Sequence, residues 1–252
     1  MSVRRFKAKC RIRRAVLCIV FDGSPSMPEA ECRFYDRKKM ERWKALRLAR
    51  SFFFLRGKMG DILKSAKSYK KLLDIEYQFI LGRKTKQISF SVFFDEHQFY
   101  HLAGLQYLVD IATLLYGDRK KIFNLILDKQ IKETQISLSH FYPLIKERVE
   151  HLEFLESIFD SNKTVFKYNP QTHAFSAIES EFLMKNEVKS RNVFTFLSQD
   201  KSTGKYFCRS FFPQTDKDYS IGQTNWTLLY KKKIQKSTGI ETVLYDRLRK
   251  DI

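Results

Sequence analysis

From residue 60 onward the apolar positions fall into clear periods. Between 61 and 74, Ile62, Leu63, Ala66, Tyr69, Leu72 and Leu73 recur at helical spacing with lysines elsewhere, which predicts an amphipathic helix. Two β-rich runs follow at 75–81 and 87–94, and the Gly-Arg-Lys-Thr-Lys between them reads as a hairpin connection. Helical periodicity returns over 99–116, where Gly117-Asp118 stops it, and again over 120–127. Ser139 is expected to cap a long helix that reaches Phe159. The remainder reads as strands at 163–168, 192–198, 206–212, 226–234 and 241–245. Turn signals at Asn169-Pro170, Ser202-Thr203-Gly204 and Ser237-Thr238-Gly239 separate several of them, with a short helix expected at 176–184. Helices and one hairpin first, then an antiparallel sheet, predict an α+β fold without βαβ crossovers.

Residues 1–58 do not share this regularity. They carry 17 Lys+Arg against 5 Asp+Glu, whereas 59–252 carry 30 against 23, and the dominant base changes from Arg to Lys. The break predicts a boundary near Lys58–Met59, with a basic extension at 1–58 that packs poorly against the domain at 59–252. The extension holds a short apolar strand, a turn-rich segment at 23–28 and a basic amphipathic stretch at 37–55. It either binds nucleic acid directly or precedes a natural start at Met59. The apolar run at 15–21 follows three arginines like a short signal segment, but Asp22 ends it and no small-residue cleavage site follows.

A net charge of +19 bears on partners more than on fold, because it draws in polyanions such as nucleic acid. The four cysteines form no close pair and no ligand set, so reduced thiols in a cytoplasmic setting are expected, with no metal and no membrane span. No Walker loop, dinucleotide fingerprint, zinc-protease helix or nucleophile elbow is present.

Three constellations remain. His101 lies on the apolar stripe of its helix with Leu105, Leu108 and Ala112; it is either a core histidine held by a carbonyl or an acid–base group at a cleft edge. His97, four residues earlier, shares its helix face but lacks a third ligand for a metal. Arg148 interrupts the seam of Phe141, Ile145, Leu152, Leu155 and Phe159, and a guanidinium there must find a carboxylate, reach the edge, or face a phosphate. The last constellation lies in the C-terminal strands. Alternation puts Arg209 with Phe207 and Phe211, and Ser210 with Cys208 and Phe212, while Gln223, Trp226 and Lys231 follow. Aromatic residues beside such polar groups suit base stacking and phosphate contact, as do Lys167 and Tyr168; a buttressed sheet with satisfied polar groups is the alternative.

The stretch 61–247 resembles the fourth family of phage-associated nucleases with the barnase–EndoU–colicin–RelE-like fold. The resemblance is carried by FYHLAGL at 99–105, SHFYPLIKERVEHLEFL at 139–155, Phe166-Lys167-Tyr168, SAIESEFL at 176–183, CRSFFP at 208–213 and DYSIGQTNWTLLYK at 218–231. It implies cleavage of RNA without metal or cofactor, by attack of the ribose 2′-hydroxyl on the adjacent phosphate. In that scheme His101 is the base or acid, Arg209 or Arg148 the cation for developing charge, and Ser210 and Gln223 orient the phosphate. Lys167, Tyr168, Trp226 and Lys231 are the candidates for holding the nucleic acid. The resemblance also implies a toxin or mobile-element effector with a neutralising antitoxin or immunity protein. The competing expectation is an RNA- or DNA-binding protein of a mobile element without catalysis.

Overall fold

The first helix, α1 (Ile62–Leu72), begins where the Asp61 carboxylate accepts a hydrogen bond from the Lys64 amide at 2.9 Å. Lys70 and Lys71 close it, at the end where the helix dipole favours cations. Ile62, Ala66, Tyr69 and Leu72 are buried, one face of a 3.6-residue repeat. In this computed structural model the described residues are 61–173, 176 and 178–248, together with the backbone of 9–12 and 15–18. The chain divides into two compact units, Met1–Lys58 and Met59–Ile252. In the first, β1 (Lys9–Ile12) and β2 (Ala15–Cys18) form an antiparallel pair. The expected turn at 23–28 and amphipathic stretch at 37–55 lie outside the described residues.

In the second unit β3 (Ile75–Arg83) and β4 (Lys86–Phe93) make the expected hairpin with a tighter turn, because pairing continues to Arg83 and Lys86. After the helices come β5 (Thr164–Lys167), β6 (Phe182–Val188), β7 (Arg191–Gln199), β8 (Tyr206–Pro213), β9 (Thr224–Gln235) and β10 (Glu241–Asp246). Their order is β9-β3-β4-β8-β7-β6-β5, and β5 pairs again with β9, so seven strands close into a barrel and β10 lies outside on β9. The fold is α+β, but the arrangement of a hairpin followed by a separate sheet is corrected: β9 runs along nearly all of β3. Every pairing in the ring is antiparallel except β4 with β8, which meet only at Val92–Tyr206 and Phe93–Phe207.

The helical segment is more broken than its periodicity suggests. In place of one helix over 99–116 there are α2 (Glu96–Leu102), a 3₁₀ turn at Leu105–Tyr107 and α3 (Ala112–Tyr116). Gly104, with φ +80°, makes the break in a backbone conformation open chiefly to glycine. α4 (Arg119–Leu127), capped by Asp118, and the short α5 (Glu133–Ile136) follow. The long helix expected from Ser139 to Phe159 is instead a 3₁₀ turn containing Pro143 (Tyr142–Leu144), then α6 (Lys146–Leu152) and α7 (Leu155–Ser161). Ser139 caps no helix; its hydroxyl donates to Asp110 at 2.5 Å and accepts from the Phe141 amide. The helix expected at 176–184 is also absent, since Phe182, Leu183 and Met184 begin β6. A strand buried on both faces leaves no alternation to detect.

One core joins α1, α2, α4, α6 and α7 to the barrel through Tyr69, Tyr77, Phe79, Phe99, Phe123 and Phe159. A second, aromatic cluster of Tyr168, Leu183, Phe194 and Phe196 packs under Phe212 and Tyr219. Both faces of β7 are therefore dry, with Val193 and Leu197 in the first cluster and Phe194 and Phe196 in the second. Among the described residues no helix is long and apolar enough to cross a membrane.

Candidate active site

β8 carries a bulge. Along β7, Leu197 faces Cys208 but Phe196 faces Ser210, so Arg209 is the extra residue without a register partner. Cys208 and Phe211, three apart, are both buried, while Arg209 is exposed and Ser210 partly so. Strict alternation is thus corrected at this point: Arg209 does not share a face with Phe211. The bulge pushes Arg209 and Ser210 together to the outward side.

The bulge lies just past the two residues at which β8 meets β4. Beyond them no strand among the described residues pairs with β8 on that side, and β4 turns at Asp95 into α2, which packs against β8. The Asp95 carboxylate caps α2 through the His97 amide and also contacts His97 Nδ1 at 2.5 Å. One turn on along α2 lies His101, on which the charge of Arg209 acts. Burial first, then the charges of Arg119 and Arg209 and the neighbouring His97 ring, push the His101 pKa down from 6.5 to about 4, while a side-chain contact with Gln106 pulls the other way. The imidazole is therefore neutral at neutral pH.

Gly104 then reverses the chain, and a Cβ added there would lie 3.0 Å from Arg148 Cδ and from Ile145 Cγ2. The Arg148 guanidinium sits 5.1 Å from the ring centres of both Tyr107 and Phe212, the latter three residues beyond Arg209 on β8. Burial pulls its pKa down from the usual arginine value; Tyr107 and Tyr219 pull it back. Among the described residues no carboxylate forms an ion pair with Arg119, Arg148 or Arg209. Arg148 is thus stacked on two rings, Arg119 and Arg209 act on the neutral His101, and none of the three arginines has a carboxylate partner among the described residues, an arrangement suited to an anionic ligand.

The other expected site residues have structural partners of their own. Gln223 clamps the turn after β5, accepting from the Asn169 amide at 2.7 Å and donating to the Asn169 carbonyl and Thr172 hydroxyl. Lys231 is 1% exposed and donates to the carbonyls of Phe159, Asp160 and Asn162 at 2.6–2.8 Å, which fastens the end of α7. The expectation that it meets nucleic acid is corrected by a second bulge. Leu81 faces Leu228 but Ile80 faces Tyr230, so Leu229 is extra and Lys231, not Lys232, turns inward. Tyr168 is buried in the aromatic cluster with its hydroxyl 2.7 Å from Ser176 Oγ, so it offers no free ring for a base. Lys167 is ion-paired with Glu181 at 3.1 Å, and Trp226 is partly buried against the main core opposite Val165.

Sequence reasoning missed Arg119 and Tyr107. Arg119 had a signal: it opens α4 directly after the Asp118 cap, at the helix end where the dipole disfavours a cation. Tyr107 had none, because the break at Gly104 that turns it toward Arg148 is not a feature of the period. No group of three or more His, Cys, Asp and Glu that could hold a metal occurs among the described residues.

A family model described as phage-Barnase-EndoU-ColicinE5/D-RelE like nuclease 4 matches residues 61–248. No curated protein and no solved structure matches the chain significantly.

Proposed function

Because the chain belongs to this family of phage-associated nucleases, we propose that it is an endoribonuclease that cleaves RNA without a metal, at the seam between α2 and β8. The observation that carries the reading is the packing of α2, which holds His101, against β8, which holds the bulged Arg209, where β4 and β8 part. A phosphodiester bound there is held by Arg209 and Arg119, with Arg148 behind it. The neutral His101 accepts the proton of the 2′-hydroxyl as that oxygen attacks phosphorus. The phosphate also neutralises the cations that hold the His101 pKa low, so binding of substrate strengthens the base when it is needed. His97, one turn away on the same helix face and paired with Asp95, returns a proton to the departing 5′-oxygen. Ser210, beside Arg209 on the outward side, is placed to orient the phosphate. Such an activity inside a cell damages its host, which fits a toxin or mobile-element effector controlled by a neutralising protein.

The test uses the full chain and an end-labelled RNA oligonucleotide. His101→Ala is expected to lower cleavage about 10²–10⁴-fold without changing the melting temperature, and the products are expected to end in a 2′,3′-cyclic phosphate. EDTA is expected to leave the rate unchanged, and a 2′-deoxy substitution at the cleaved position to block it. Loss of activity on chelation, or equal cleavage of DNA, would overturn the mechanism. RNA binding with no cleavage under any condition would establish the non-catalytic binder.

A further inference from the structure

The bulge in β9 also shapes a groove at the far end of β3 and β4. The Leu229 side chain lies over Gly82, where an added Cβ would come within 2.7 Å of Leu229 Cδ1. On the other side of β9 the Leu229 carbonyl accepts from the Arg247 amide at 2.8 Å, which carries the pairing with β10 one residue past Asp246 and holds Arg247 beside the groove. The result is an open groove of about 370 Å³ whose walls include Arg83, Lys84, Lys86 and Arg247, with Gln87 and Thr227 between them and no acidic residue in the lining. All four cations are exposed, and none forms an ion pair among the described residues. Lys84 holds φ +53° in a two-residue turn, a conformation for which glycine or asparagine is the ordinary choice. The turn thus carries a cation at a position that local backbone preference would give to a smaller residue.

We propose that this groove is a second anion-binding site that grips the phosphate backbone of RNA away from the point of cleavage. Unpaired exposed cations facing each other across a groove repel, and a row of phosphates removes that repulsion and releases counterions. Arg83 and Arg247 supply planar forks for phosphate oxygens, and Lys84 and Lys86 supply point charges. The groove lies at the Lys86 end of β4, whereas α2 leaves the Phe93 end, about 20–25 Å away along a strand rising about 3.3 Å per residue. RNA long enough to reach both ends gains affinity from the groove, and a minimal substrate does not. The groove rests on the nuclease reading only for the choice of RNA as the polyanion.

The test keeps the two readings apart by measuring binding in His101→Ala protein and cleavage in protein with His101 intact. The groove variant is Arg83→Gln, Lys84→Asn, Lys86→Gln and Arg247→Gln; asparagine tolerates the left-handed backbone. The control is Lys67, Lys70, Lys71 and Lys201 to Gln, four exposed lysines elsewhere. For binding of a 20-nucleotide single-stranded RNA, followed by fluorescence anisotropy over a salt series, each lost phosphate contact flattens the plot of log K against log salt by about 0.7. The groove variant is expected to lower that slope by about 1.5–3 and the control by much less. With His101 intact, KM is expected to rise for long RNA and kcat/KM for a dinucleotide to stay unchanged. Equal effects of the two variants mean a diffuse charge effect and overturn the site. Unchanged RNA binding with lost binding of poly-glutamate identifies an acidic protein as the occupant and overturns it equally.

Discussion

Replacing Gly104 with alanine perturbs backbone and site at once, and the geometry separates the two contributions. At φ +80° a side chain meets the left-handed penalty, about 1–2 kcal/mol for a residue with a Cβ. The new methyl also lies 3.0 Å from Arg148 Cδ and Ile145 Cγ2, closer than comfortable contact. For so small a group this adds about 1–2 kcal/mol, the low end of overpacking costs. The sum, about 2–4 kcal/mol, corresponds to a melting temperature lower by about 5–15 °C in a domain of this size. Gly239 supplies the control, since it has φ +70° but nothing within 4 Å of an added Cβ. Gly239→Ala should therefore cost only the backbone share. Urea unfolding of the two variants gives the stability difference, and RNA cleavage gives the functional one. Gly104→Ala should also reduce kcat/KM by about 10–10²-fold, because Arg148 is pushed off its stack and small misplacements of charged groups are expensive. Adding Arg148→Ala should restore part of the stability but none of the activity. Equal destabilisation of the two glycine variants would refute the contact argument, and unchanged activity in a destabilised Gly104→Ala would refute the link from Gly104 to the site.

Three further outcomes are expected. Lys231→Met should lower stability by about 2–5 kcal/mol, since three carbonyls at the end of α7 lose their donor; equilibrium unfolding measures this, and RNA affinity in a salt titration should not change. The folded His101 titrates near pH 4 and the unfolded one near 6.5, so between those values the unfolded chain binds more protons and stability falls as pH falls. His101→Gln should flatten that part of the stability–pH curve, and the acid limb of kcat/KM should lie near 4 for the wild type and move upward in Arg209→Gln. Arg148→Leu should lower kcat by about 10²–10³-fold, the scale for losing one charge-stabilising donor, while shifting the urea midpoint little; a large midpoint shift with kcat unchanged would make Arg148 a packing residue.

Much of this was legible in the sequence, and the failures share a cause. Ile62, Ala66, Tyr69 and Leu72 announced α1 by their helical spacing. Arg148 drew attention because a guanidinium on an apolar seam needs an explanation, and the structure supplies one in the rings of Tyr107 and Phe212. His101 and Arg209 stand apart in the sequence, and the fold packs the helix of the one against the strand of the other. What escaped was every place where one residue is added to or taken from a repeat. The bulges at Arg209 and Leu229 shift the strand phase, and the second sent Lys231 inward against expectation. Gly104 and Pro143 broke helices whose apolar spacing continues past them. The partners of Gln223, Asn169 and Thr172, lie more than fifty residues away across a pairing that no local pattern encodes.

The closed ring has seven members, and an odd ring obeys a parity rule. Direction reverses at each antiparallel step, so a circuit of seven reversals would return to its starting strand pointing the wrong way. One neighbouring pair must run in the same direction. Here that pair is β4 with β8, and it is also the shortest contact in the ring. The mismatch is thus gathered into one place, where hydrogen bonding between strands nearly stops and helix α2, the Arg209 bulge and the α6 arginine fill in. An eighth strand would let the circle close with antiparallel neighbours alone. The proposed nuclease site lies beside the one parallel pair that an odd ring requires, and because that pair spans only two residues, amide exchange should be fastest along that edge of β8.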